Sequence, residues 1–260
     1  LTEPAPSALA DAPTAETLWL AEVDSTNAEA RRRAEAGETG PLWIAARRQT
    51  AGRGRRGRAW EGDARNLATT LLTVTHKPPA EAAQVAFVAA LAAADLALDS
   101  APEALVRLKW PNDLMLGGQK AAGVLIESGA RADGRLWLAV GVGVNLAAAP
   151  SDLERPASAF ADHLKAGVAR PPSPERALDT LARAFDHWWS VWTTDGFAPI
   201  RTAWTARADL GRPCLAHLGS DAVEGVAEAL EADGALRLRL VDGGVRRITA
   251  GDVFPVERNR

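Results

Sequence analysis

Helices gathered around a run of strands, with a tail of short alternating segments behind them, predict an α+β chain: one main mixed sheet and a small appended β-barrel. Two observations carry this prediction. Between residues 17 and 144, apolar segments of strand length are interleaved with Ala-rich stretches of helical length. After residue 211 the helical pattern stops, and residues 213–256 become short alternating runs (PCLAHL, AVEGVAEAL, ALRLRLV, GVRRIT) cut by Gly, Asp and Ser.

In chain order, residues 1–15 have no periodicity and read as a flexible lead-in. Residues 17–23 (TLWLAEV) alternate as a strand does. Thr26 and Glu29 have capping-box spacing, so a helix of about three turns starts there, and Gly37 stops it. Residues 42–46 and 66–75 give the next two strands. Residues 80–100 are Ala-rich and apolar on every side, which predicts one long buried helix. Three extended segments follow at 104–109, 121–127 and 135–144, with turns at Gly117-Gly118 and at 132–134. Residues 150–174 are partly loop. Residues 174–192 form a helix whose apolar face carries Leu178, Leu181, Phe185, Trp188 and Trp192, and a further helix covers 198–208. The unit boundary falls at 209–212, giving a main unit over 16–210 and a C-terminal barrel of about five strands over 211–260.

Composition narrows the class. The 260 residues carry a net charge of −3 with 24 % charged side chains, so the chain is not a nucleic-acid-binding polycation. A single cysteine, Cys214, excludes an internal disulfide framework and a multi-cysteine zinc site, and fits a reducing cytoplasm. Residues 1–13 lack the pattern of a signal peptide, and no apolar run is expected to reach the ~20 residues that span a bilayer. A soluble chain without a membrane partner is the expectation.

Four motifs can carry chemistry. Residues 47–58 (RRQTAGRGRRGR) hold six arginines, three glycines and no acid, and Trp60 follows. Glycines let such a loop approach a ligand closely, arginines clamp phosphate or carboxylate oxygens, and a tryptophan can stack on a flat ring. The same composition would also serve a solvated basic loop that grips RNA phosphates. Residues 107–123 (RLKWPNDLMLGGQKAAG) deliver Lys109, Asn112, Asp113 and Lys120 around a proline turn. A lysine there can neutralise a phosphate, and Asn with Asp can hold Mg²⁺; read alone, WPND is an Asx-capped turn. Residues 141–145 (GVGVN) put alternate glycines in a strand, so something packs closely on one face, and Asn145 can donate to a nucleotide oxygen. Residues 24–27 (DSTN) are a helix start that could also meet a small polar ligand.

In this order the four motifs resemble the catalytic core of the biotin protein ligase family: DSTN at 24–27, QTAGRGRRGRAW at 49–60, KWPNDLML at 109–116 with KAAG at 120–123, and GVGVN at 141–145. The resemblance is strong over about residues 17–147 and extends through the C-terminal segment, which is similar to the SH3-like domain of these ligases. It implies a core of the class II aminoacyl-tRNA synthetase and lipoate-ligase type. It also implies ATP and biotin as substrates with Mg²⁺, and a biotin carboxyl carrier domain of a carboxylase as acceptor.

Residue by residue, the resemblance implies that Ser25, Thr26, Asn27 and Gln49 hold the fused-ring head of biotin. Gly52, Arg53, Gly54 and Arg55 would close over the vitamin and its adenylate, and Gly123 would leave room for it. Arg53 and Arg55 would bind carboxylate and phosphate, and Arg58 the triphosphate. Trp60 would stack on adenine. Lys120 would hold the biotin carboxylate and the α-phosphate together. Lys109, Asn112 and Asn145 would lie near the nucleotide, with Asn112 also near the metal. No nucleophilic side chain is needed: the carboxylate attacks the α-phosphorus, pyrophosphate leaves, and a lysine amine attacks the mixed anhydride. Arg53, Lys120 and Mg²⁺ would screen the two anions, and Asp113 would orient the incoming amine. Cys214 and the four histidines take no part.

Some family members carry an N-terminal helix-turn-helix that binds DNA. The lead-in here is too short for one, so a monofunctional ligase that does not bind DNA is expected. An exposed sheet face could pair two copies into a homodimer. The nearest rival is a lipoate or octanoate ligase on a similar core; a rival from another class is a non-catalytic biotin- or RNA-binding module.

Overall fold

The computed structural model describes residues 15–151, 156–219 and 221–256; apart from Ala15, the predicted lead-in lies outside them. The main unit orders its elements as β1 (Glu16–Val23), α1 (Thr26–Glu35), β2 (Leu42–Gln49), β3 (Leu67–Thr75), α2 (Pro79–Ala82), α3 (Val85–Leu98), β4 (Val106–Lys109), β5 (Asp113–Leu116), β6 (Gln119–Ala130), β7 (Leu136–Val144), α4 (Pro174–Asp195) and α5 (Phe197–Arg207). Its seven strands lie in the order β1-β2-β3-β7-β6-β5-β4. Only β1 and β2 run parallel, because α1 returns the chain between them; the other neighbours are antiparallel.

Side-chain alternation assigns the two faces of this sheet. Trp43, Leu71, Leu138 and Val140 point to the face covered by α3 and α4. Ile44, Leu72 and Ala139, one residue out of phase, pack with Ala30 and Ala34 of α1. Gly141 and Gly143 continue the α1 face along β7, and there the apolar packing gives way to polar groups. That change marks the site.

Helix α3 is buried around almost its whole circumference, which suits its place between the sheet and α4. Helix α4 is amphipathic as expected: Leu178, Leu181, Phe185 and Trp192 are buried, while Trp188 is half-buried and donates its indole N–H to Asp95 at 2.7 Å. The single helix expected over 80–100 is interrupted between α2 and α3. Contrary to expectation, the segment Pro79–Leu98 is long and apolar enough to cross a bilayer; 72 % of its most apolar window is buried, and it is a core helix.

Two local expectations are corrected. The capping box does not form: Ser25 is the N-cap without a side-chain cap bond. Thr26 already lies inside the helix with its hydroxyl turned to Gln49 and Thr70, and Glu29 pairs with Arg32 and Arg33 instead. The WPND segment is a turn as expected, but it ends in an additional short strand, β5, which pairs Lys109 with Asp113 across the turn.

The C-terminal unit consists of β8 (Pro213–Leu218), β9 (Asp221–Leu230), β10 (Leu236–Leu240), β11 (Val245–Ile248) and β12 (Asp252–Pro255). They form one antiparallel sheet in the order β11-β10-β9-β8-β12. It shares a continuous apolar core with the main unit, to which Leu108, Trp110, Cys214, Leu236 and Val253 all belong. Trp110 anchors the junction by donating to the Gly234 carbonyl at 3.0 Å. Lys109 donates to the Val253 carbonyl at 3.2 Å.

Candidate functional site

The site lies on the α1 face of the sheet, where three groups of residues meet. At the N-terminus of α1, Gln49 Oε1 accepts from the Thr26 amide at 2.8 Å and from its hydroxyl at 3.2 Å. Thr70 Oγ1 lies 2.8 Å from Thr26 Oγ1 and 2.7 Å from Asn27 Oδ1. Asn27 Nδ2 in turn donates to Glu127 Oε2 at 2.8 Å, and the other oxygen of Glu127 lies 3.5 Å from Arg53. Thr26, Asn27 and Thr70 are all buried. This polar chain holds its members in fixed orientations beside Arg53 of the Arg-Gly loop, an arrangement able to meet a polar ligand. Gly141 makes the arrangement possible: a Cβ there would stand 2.1 Å from Asn27 Oδ1.

The Arg-Gly loop folds back on itself. Trp60 N–H donates to the Gly52 carbonyl at 2.9 Å, and Gly54 N–H to the Arg58 carbonyl at 2.7 Å. Arg56 and Gly57 turn the tip with φ of 56° and 73°. Gly52 is required sterically, because a Cβ would come 2.4 Å from the Trp60 carbonyl oxygen. The Trp60 indole is laid down on a glycine floor: added Cβ atoms at Gly143 and Gly123 would stand 2.3 Å and 3.3 Å from the ring. The something expected to pack against the alternate glycines of β7 is therefore the chain's own Asn27 and Trp60. Gly123 likewise makes room for Lys120, whose Nζ would lie 3.0 Å from its Cβ.

The third group is a pair of lysines on one acid. Asp113 accepts from Lys120 Nζ at 2.6 Å and from Lys109 Nζ at 2.7 Å. Burial alone would raise the Asp113 carboxyl, but the charges and hydrogen bonds of Lys109 and Lys120 outweigh it and hold it below the usual carboxylate range. Beside it, Arg55 Nη1 lies 3.2 Å from Asn112 Oδ1, and Asn112 Nδ2 donates to the Val124 carbonyl. Burial pushes the Arg55 guanidinium below its ordinary value, against the attraction of Asp252 and Asp113. Lys120 also sits 5.6 Å from the centroid of Trp60. Cations outnumber acids here, so the face presents a positive field to an anionic ligand.

Most residues singled out in the sequence come together in these groups: Ser25, Thr26, Asn27, Gln49, Gly52, Arg53, Gly54, Arg55, Arg58, Trp60, Lys109, Asn112, Asp113, Lys120 and Gly123. Among the described residues, Asn145 shares no hydrogen bond with these side chains. It is buried, it donates to the Ser158 carbonyl at 3.2 Å, and its Oδ1 has no hydrogen-bond partner among the described residues. The free group is an acceptor, whereas a donor was expected. Sequence reasoning missed Thr70, Glu127 and Asp252. Glu127 is the one acid in β6, a signal that was available; Thr70 is one of four threonines in β3 and nothing in the sequence sets it apart, and Asp252 lies far along the chain and resembles any turn acid.

Among the described residues, no three His, Cys, Asp or Glu side chains converge in a metal-binding group. With Asn112 Oδ1 facing Arg55 and both Asp113 oxygens facing lysines, the donor set does not fit a resident Mg²⁺ ion.

Comparisons with known proteins give the family and the fold. Residues 19–145 match the Biotin/lipoate A/B protein ligase family, and residues 209–254 match the Biotin protein ligase C terminal domain. The chain is 45 % identical to a biotin–(acetyl-CoA-carboxylase) ligase of Paracoccus denitrificans, over 90 % of this chain and 98 % of that one. Among solved structures, it is similar to a Leishmania major biotin protein ligase in complex with biotinyl-5-AMP: TM-score 0.61, 26 % identity, 90 % of this chain and 99 % of that one. The fold also matches an Aquifex aeolicus biotin protein ligase in complex with biotin and ATP: TM-score 0.73, 24 % identity, 92 % of this chain and 97 % of the other.

Proposed function

We propose a function from the premise that this chain belongs to the biotin protein ligase family: it is an ATP-dependent ligase that joins biotin to a carrier protein. In the first half-reaction the biotin carboxylate attacks the α-phosphorus of ATP and pyrophosphate leaves. In the second, a lysine amine of the carrier attacks the carbonyl of the biotinyl-adenylate and AMP leaves. The acceptor we assign is the biotin carboxyl carrier domain of a carboxylase, and the location we assign is the cytoplasm.

The observation that carries this reading is the convergence of Arg55 and Lys120 on one turn, through Asn112 at 3.2 Å and Asp113 at 2.6 Å. Bringing a carboxylate to a triphosphate is opposed by charge repulsion, and preorganised cations offset it. In this reading Thr26, Asn27 and Gln49, with Ser25, orient the ring system of biotin. Gly52, Arg53, Gly54 and Arg55 cover it, and Arg53 and Lys120 take its carboxylate. Arg55, Arg58 and Lys109 face phosphate oxygens, and Trp60 supplies a flat surface for adenine. Mg²⁺ enters as MgATP, part of the substrate, with Asn112 Oδ1 free to join its shell once Arg55 moves to phosphate.

Asp113 receives two lysine ammonium groups already. When Lys120 turns to the carboxylate and α-phosphate, the vacated Asp113 oxygen is placed to accept the carrier's lysine and hold its amine toward the anhydride. Asn145 is assigned a place near the nucleotide, with its buried Oδ1 the acceptor that lacks a partner among the described residues. No side chain forms a covalent intermediate.

The test is to mix the chain, MgATP, biotin and a carrier domain and weigh the carrier. A mass gain of one biotinyl group per carrier is expected. Biotin-independent or lipoate-driven exchange of pyrophosphate into ATP would overturn the assignment.

A further inference from the structure

The small C-terminal sheet plays no part in the chemistry described above, yet its last strand reaches the Arg-Gly loop. Asp252 opens β12, pairs with His217 of β8 and is only 7 % exposed. Gly251 before it is packed onto β8, where a Cβ would come 2.8 Å from the His217 carbonyl oxygen. The Asp252 carboxylate therefore sits on a fixed stretch of backbone rather than on a free loop.

Three guanidinium groups of the loop converge on it. Arg55 Nη1 is 3.2 Å from Oδ1, Arg56 Nη1 is 3.5 Å from Oδ2, and Arg58 Nη2 donates directly to Oδ2. Arg55 also donates to the Gly251 carbonyl at 2.9 Å. A carboxylate carries one negative charge, which a single arginine already balances. Three arginines form a cradle for an anion of higher charge with more oxygens, and a polyphosphate is that anion.

We propose that Asp252 is a positioning residue that occupies the arginine cradle in place of polyphosphate. Its carboxylate gathers Arg55, Arg56 and Arg58 before nucleotide binds, and an incoming anion must displace it to take them. It then gives the three guanidinium groups up to phosphate oxygens. The C-terminal sheet thereby sets the order of the loop at the active face. This inference rests on the ligase reading, since that reading supplies the polyphosphate.

The experiment uses the full chain, inorganic pyrophosphate as the probe, titration calorimetry and backbone amide exchange. Asp252→Asn keeps the shape and removes the competing charge. It should bind pyrophosphate about tenfold tighter, equivalent to ~1.4 kcal/mol, and its loop amides at 52–60 should exchange faster without ligand. Asp252→Glu should restore both toward wild type. A purely structural Asp252 would instead leave pyrophosphate affinity equal or lower in the folded Asn variant, and that result overturns the proposal. A second measurement needs no variant: pyrophosphate added to wild type should speed exchange at residues 251–254 while the loop stays protected. Unchanged exchange at 251–254 overturns the proposal whatever the variants do. Biotin-dependent exchange of pyrophosphate into ATP by wild type tests the ligase reading separately. If that exchange is missing while displacement at 251–254 is present, the ligase reading alone is rejected.

Discussion

Lys120 and Asp113 meet ammonium to carboxylate at 2.6 Å, on adjacent strands, with Lys109 closing on the second carboxylate oxygen at 2.7 Å. The pairing depends on a short hairpin: β4 and β5 put Lys109 opposite Asp113, and β6 returns Lys120 beside it. One buried acid thus sets the position of two cations on the candidate site's face.

Asp113→Asn breaks this triad and leaves two ammonium groups without their counter-charge. It should destabilise the protein by about 1–3 kcal/mol, less than the full cost for a buried pair because Lys120 is partly exposed and solvent screens its charge. The pH dependence has a definite sign. The carboxyl of Asp113 is held below its ordinary value in the folded state, so the unfolded chain takes up its proton first. The stabilisation is complete above an unfolded pKa of about 3.9 and is lost as pH falls through the folded value. Urea midpoints measured between neutral pH and pH 3 should therefore fall less steeply for the variant than for wild type below pH 4. Parallel slopes would remove Asp113 from this role.

The candidate site was legible in the sequence where its residues are local. The loop from Gly52 to Trp60 and the Lys109–Asp113 turn are contiguous, and their glycines and proline announce an unusual backbone. Gly141 and Gly143 signalled a close approach, but their partners, Asn27 and Trp60, are set by strand register and lie far away in sequence. Strand β5 escaped because four residues after a proline turn carry too little alternation to be read. Asp252 escaped for a different reason: an acid on a short strand of a distant sheet reads as a solvated side chain until that sheet is docked.

Thr70 was equally silent in sequence, and its hydroxyl ties Thr26 to Asn27 at 2.8 and 2.7 Å. Thr70→Val keeps the shape and leaves Asn27 Oδ1 without its donor, a loss of about 1–3 kcal/mol. Calorimetric titration should give biotin binding weakened about tenfold. Turnover at saturating biotin should change little, because Thr70 orients the ring pocket and not the reacting carboxylate. A variant with unaltered biotin affinity would exclude the polar chain from recognition.

Gly143→Ala tests the glycine floor. Its Cβ would stand 2.3 Å from Trp60 Cε2, so the indole must lift, with an overpacking cost of about 1–3 kcal/mol. Trp60 fluorescence should shift and the KM for ATP should rise. Gly62→Ala is the control, since nothing lies within 4 Å of an added Cβ there. Equal behaviour of the two variants would show that the indole is not held by that floor.

Arg55 is the tether of the loop tip, joining it to Asn112 at 3.2 Å and to the Gly251 carbonyl at 2.9 Å. Arg55→Gly removes both ties and the pairing with Asp252, and adds backbone freedom to a segment that already contains Gly54 and Gly57. The remaining contacts of the loop to the C-terminal sheet run through Arg56 and Arg58, which are more exposed. The loop should then open more often over the mixed anhydride, and a reactive anhydride that escapes acylates whatever amine it meets. The expected outcome is adenylate formation that continues, release of biotinyl-adenylate at least about tenfold faster, corresponding to ~1.4 kcal/mol, and biotin appearing on lysines of bystander proteins in the same tube. Mass spectrometry of an added bystander such as albumin provides the readout. If the variant forms adenylate and keeps it until a carrier arrives, Arg55 does not close the loop, and the cover must come from Arg53 and Trp60 instead.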